Sequence, residues 1–116
     1  MAIISGQDQA AKGTSVTVSL NKSEFFLLPS IANDPYYADP NKTASIRFLY
    51  RSVEGNQRVS LVFKDPSVAT PTGLLKFSAY ARNSFQLKKI FLYDFDGGYL
   101  EVAAEDIPTD LNVTLV

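Results

Sequence analysis

The run Arg58-Val59-Ser60-Leu61-Val62-Phe63-Lys64 places Val59, Leu61 and Phe63 at every second position. Successive side chains of an extended strand point to opposite faces, so this spacing gives a strand one apolar face, whereas a helix would scatter the same residues around its circumference. The same period recurs along the chain. It appears in Thr14–Leu20 (Val16, Val18, Leu20), in Ser45–Ser52 (Ile46, Phe48, Tyr50) and in the set Leu75, Phe77, Ala79 and Ala81. Leu87–Tyr93, Tyr99–Ala104 and Leu111–Leu115 follow, and Phe25–Leu28 is a short apolar run ended by Pro29. About eight strands and no helix imply an all-β fold: an antiparallel two-sheet β-sandwich with jelly-roll or Greek-key connections, a closed barrel being the competing architecture. The expected core is Val16, Val18, Ile46, Phe48, Val59, Leu61, Phe63, Phe77, Ile90, Leu92, Val102 and Val113. Both faces of 87–93 are apolar, so its inward face is the least determined by pattern.

The segments between these runs carry turn chemistry. Val53-Glu54-Gly55-Asn56 and Asp94-Phe95-Asp96-Gly97-Gly98 hold the Gly and Asn residues that tolerate positive φ, and one of Gly97 and Gly98 is expected to adopt it. Pro29 to Lys42 differs. Its fourteen residues include three prolines and the pair Tyr36-Tyr37, and connections that long in a compact domain tend to be functional. Residues 1–13 read as an N-terminal arm ahead of a single domain over 14–116: Ile3 and Ile4 form an apolar tip, followed by mostly polar or small residues. An apolar tip on an arm gains order only by docking. Ile3, Ile4, Tyr36 and Tyr37 are therefore the candidate interface residues, and removal of residues 2–12 is expected to leave the domain folded.

Several function classes are disfavoured by what the chain lacks. It has neither histidine nor cysteine, which removes the usual general base near neutral pH, the thiol nucleophile and the thiolate metal site. No serine lies in a G-x-S-x-G turn and there is no phosphate-binding glycine fingerprint. The chain is thus read as a non-enzyme without a cofactor. Its net charge of −1 gives no global pull toward nucleic acid. No apolar run approaches the roughly 20 residues needed to cross a bilayer. The first residues also lack the basic region and the apolar length of a signal peptide, so neither membrane nor export is expected.

Asp94 and Asp96 are candidate calcium ligands, because that cation takes oxygen donors; D-F-D-G-G, however, lacks the further donors of an EF-hand loop. The competing reading is that their carboxylates accept nearby backbone amides in the turn. Asp94 with Asp96, or Glu105 with Asp106, can also be imagined as paired catalytic acids, but a glycosidase needs its carboxylates across a sugar cleft, roughly 5–10 Å apart. Charge is also uneven. Arg47–Lys89 holds eight basic and two acidic residues, while Asp94–Val116 holds six acidic residues and no basic one. Opposite charges can pair across a ladder within one sheet, or form two edges that meet on neighbouring copies.

The segment Phe85-Gln86-Leu87-Lys88-Lys89-Ile90-Phe91-Leu92-Tyr93-Asp94-Phe95-Asp96-Gly97-Gly98-Tyr99-Leu100 resembles a hairpin of small β-sandwich accessory proteins in tailed bacteriophage particles. The resemblance implies a structural virion protein, made in a host cytoplasm: a capsid decoration, tail or fibre component. Its partners would be copies of itself and other virion proteins. Similar hairpins occur in carbohydrate-binding jelly-roll modules, which makes a glycan-binding module the alternative. No catalytic residue is implied by either.

Overall fold

The computed structural model describes residues 3–5, 9–108 and 111–115. Nine strands are found among them: β1 (Ile4–Ser5), β2 (Gln9–Ala10), β3 (Ser15–Leu20), β4 (Ser45–Ser52), β5 (Arg58–Lys64), β6 (Thr72–Lys76), β7 (Ser84–Tyr93), β8 (Tyr99–Glu101) and β9 (Val113–Leu115). They form an all-β sandwich. The small sheet has the order β1-β3-β6, and the large one β2-β9-β7-β4-β5, with β8 also on β7. All pairings are antiparallel except β2 with β9, which is parallel.

The alternating runs do what their period demands. Ile46, Phe48, Leu61, Phe63, Ile90 and Leu92 are completely buried between the sheets, and Val18, Val102 and Val113 nearly so. Val16 and Val59, also expected inside, are only partly buried against that core. On β7 the inward face is that of Ile90 and Leu92. Between Leu49 and Tyr50 of β4 the register shifts, so that Leu49 faces Lys89 while Tyr50 faces Leu87. Lys88 is the extra residue of this bulge, and both Lys88 and Lys89 turn to solvent.

Three expectations are corrected. Phe25–Leu28 is not a strand: Lys22–Phe25 and Pro29–Ala32 are single helical turns, α1 and α2, whose Phe25 and Ile31 are fully buried. Phe25 stacks on Phe48 with ring centroids 5.8 Å apart, and with Ile31 of the long connection it makes these turns a packed cap on the core. Strand β6 lies upstream of its expected place, at Thr72–Lys76, and Ala79 is exposed. Finally, the described parts of the arm rest on their own domain. Ile4 pairs with Leu20, Ile3 is 5% exposed and its carbonyl accepts from the Asn21 amide at 2.7 Å, and Ala10 is buried beside β9. Ile3 is thus a core residue rather than a free tip.

The two sheets meet along β5 and β6. A side chain at Gly73 would bring its Cβ within 2.6 Å of the Val62 carbonyl oxygen and 2.8 Å of Leu61 Cδ1. Only glycine lets β6 approach β5 this closely.

Candidate functional site

The β7–β8 turn is organised by one carboxylate. Asp94 Oδ1 accepts from the amides of Asp96 and Gly98, each at 2.8 Å, and the Asp94 amide donates to the Gly98 carbonyl at 3.0 Å. Gly97 has φ +88°, the left-handed conformation expected of one of this pair. Gly98 is required for a different reason: a Cβ there would lie 2.6 Å from Asp94 Oδ2. The turn therefore needs both glycines, one for its dihedral and one for space.

The other oxygen of Asp94 holds the long connection. Asp34 Oδ1 accepts from the amides of Tyr36 and Tyr37, both at 2.9 Å, which aims the two rings. Tyr37 turns inward, 8% exposed, and its hydroxyl donates to Asp94 Oδ2 at 3.0 Å. Burial, the hydrogen bond to Asp94 and that carboxylate's charge push the Tyr37 hydroxyl up to about 12. Burial pushes Asp94 upward, but the amides of Asp96 and Gly98 and the Tyr37 hydroxyl outweigh it, holding the carboxyl below its usual range. Both oxygens of Asp94 thus face donors. Among the described residues no three acidic side chains come close enough together to hold a metal ion. Asp106 has a comparable structural part: Oδ2 accepts from the Ser30 amide at 2.8 Å and from the Ser30 hydroxyl, which in turn accepts from the Ala103 amide at 3.0 Å.

Around this clasp the outer surface is aromatic. Tyr36 packs edge-on against Tyr37 at 5.0 Å, remains 39% exposed and carries the Lys42 ammonium 5.7 Å from its ring centre. On the outer face of the large sheet, Tyr93 stands opposite Tyr99, and Phe91 is two pairs along the ladder. The three rings form a triangle with centroid separations of 5.9–6.2 Å. The Arg47 guanidinium lies 5.8 Å from the Tyr93 ring centre, within cation–π range. Tyr99 is 62% exposed and Phe95, at the turn's tip, 72%.

The fold thus brings Tyr36, Tyr37, Asp94 and Asp96 to one end of the large sheet; Ile3 and Ile4 belong with the small sheet and take no part. The Phe91–Tyr93–Tyr99 triangle and Arg47 did not figure among the sequence candidates. Their signal was present as the second apolar face of β7: once Ile90 and Leu92 point inward, Phe91 and Tyr93 must point outward.

No family model matches this chain, and no curated protein sequence does. Among solved structures the fold is similar to part of Cwp6 from Clostridium difficile, with a TM-score of 0.66 at 12% identity. The alignment covers 99% of this chain and 17% of that one, so the chain spans a small fraction of its structural neighbour. At this identity the likeness shows the fold alone: a β-sandwich, and one that also exists as a segment of a larger protein.

Proposed function

We propose that this domain is a non-enzymatic binding module that works by protein–protein assembly, through the aromatic end of its large sheet. The observation that carries this reading is the outer-face triangle of half-buried Phe91 and Tyr93 with exposed Tyr99, with Arg47 beside it and exposed Phe95 at the turn. Tyr, Phe and Arg are the residues that protein interfaces enrich, and truncations that matter most at interfaces are often of Tyr and Arg. Stable monomers seldom leave a contiguous aromatic patch to water without a use for it. The hairpin resemblance gives the assembly its setting: a decoration, tail or fibre component of a virion, whose partners are copies of itself and neighbouring particle proteins. A glycan-binding module is the second reading, favoured by the same rings because an exposed aromatic face also offers a plane for a sugar.

Sedimentation of the purified chain across a concentration series tests this, alongside a glycan array. Tyr99→Ala removes an exposed ring and should leave folding intact. Assembly through this face predicts a concentration-dependent oligomer that Tyr99→Ala weakens by about 30-fold, the scale of an interface hot spot. A monomer at every concentration that binds glycans, and loses them on the same substitution, would replace assembly with the second reading.

A further inference from the structure

We infer that the groove along the β5–β6 corner receives the β7–β8 hairpin tip of a second copy of this chain. The inference rests on the assembly reading above and names its partner surface. The groove has a volume of about 580 Å³. Val59, Val62 and Leu74 give it an apolar lining interrupted by Ser60 and Thr72, and Gly73 contributes no side chain. It also carries Arg58, Lys64 and Lys76, and among the described residues no acidic side chain lines it. Leu74 is half exposed there, although it sits in a regular strand.

The hairpin tip has the opposite character. Phe95 projects with 72% of its surface in solvent, flanked in sequence by Asp94 and Asp96. Asp94 is committed to the turn, and Asp96 beside it is exposed. Glu101 lies on β8 behind the tip, and no basic residue follows Asp94 in the chain. An apolar knob with carboxylates thus faces the need of an apolar slot walled by cations. Complementary charge of this kind steers encounter and fixes register, while the buried ring supplies the affinity.

Knob and slot lie at opposite edges of the same sheet, β8 and β5. A molecule that inserts its own knob therefore still presents an empty slot. The contact is heterologous, and it builds a ring if the rotation closes and a filament if it does not.

Charge exchange tests the pairing. All substituted residues are exposed, and circular dichroism with thermal melting checks that each variant folds. Lys64→Glu and Asp96→Lys should each weaken self-association about tenfold or more, as like charges are brought together. The double variant, Lys64→Glu with Asp96→Lys, should recover most of it. Raising the salt concentration should weaken the wild-type oligomer, because exposed pairs are screened. Self-association that ignores both single reversals, or that the double variant fails to recover, overturns this contact and leaves assembly through the aromatic face standing if Tyr99→Ala still disrupts it. A chain that stays monomeric throughout overturns both.

Discussion

The sandwich is closed along two seams that are built differently. At the β5–β6 corner the sheets touch in the middle of regular strands, and the fit depends on a missing side chain, Gly73 against the Val62 carbonyl. On the far side, β1 finishes the small sheet and β2 finishes the large one, each with two paired residues from the same N-terminal segment. The first seam is held by steric fit between backbones and has no slack. The second is held by Ile3 and Ala10, two apolar side chains seated in the core, plus a few ladder bonds. A small domain can therefore close one edge rigidly and the other with a strap. The rigid edge is set by the exclusion of atoms and the strap by their burial.

Gly73→Val should have the largest effect. Its Cβ has to displace a backbone oxygen, and overpacking of this severity costs about 3 kcal/mol or more, so the domain should melt far below wild type or fail to fold. A tolerated valine would show that this seam is as loose as the other. Ile3→Ala should come next, losing about 2–3 kcal/mol for a buried isoleucine, measured by denaturant unfolding. A negligible loss would return residues 1–13 to the status of a free arm. Removal of residues 2–12 should likewise lower the melting temperature, contrary to what the sequence pattern alone suggests.

The Tyr37–Asp94 clasp gives a smaller, pH-dependent contribution at a third place, the end of the large sheet. Asp94 ionises more easily in the folded chain than in the unfolded one, whose carboxylate value is about 3.9. Its contribution is fully present above that value and lost as pH falls through the lower folded value. Tyr37 is displaced the other way, up to about 12. Its contribution is present below the unfolded value of about 10 and lost as pH rises through 12. Asp94→Asn should flatten the acid limb of a stability–pH profile and Tyr37→Phe the alkaline limb. Unchanged limbs would mean that the clasp is no closure at all. The smallest effect is expected from Tyr50→Phe. The Tyr50 hydroxyl is buried with no hydrogen-bond partner among the described residues, and burial pushes it above the ordinary tyrosine value. Removing it should change stability by less than about 1 kcal/mol, or raise it.

The same contrast separates what could be read in advance from what could not. The strands of the large sheet were legible because Ile46, Phe48, Leu61 and Phe63 repeat with period two, and burial enforces that period. The Asp94 turn was legible because Asp and Gly chemistry acts within a few residues. What escaped depends on distant partners. Ile3 and Ala10 became core residues only through β3 and β9, and nothing local distinguishes a strap from an arm. Phe25 and Ile31 lie on single helical turns too short to show a period, and they are buried because they cap the sheets. Gly73 falls in the connection ahead of the expected strand, and its need for glycine shows only once β5 lies beneath it. The sequence places Tyr36 and Tyr37 together on the long connection, but only the hydrogen bond to Asp94 divides them into one inward and one outward ring.

The parallel pairing of β2 with β9 joins Gln9 and Ala10 to Thr114 and Leu115. In synthesis the first of these partners precedes β3–β8 and the second follows them. Closing so long a loop is slow, since its entropy must be met before the contact returns anything. Until β9 is made, then, the nascent chain carries β2 without the strand that receives it. A finished copy nearby offers an occupied groove, while another unfinished chain offers none. The β1 half of the strap can pair with β3 early, whereas its β2 half can be seated only when its own β9 emerges.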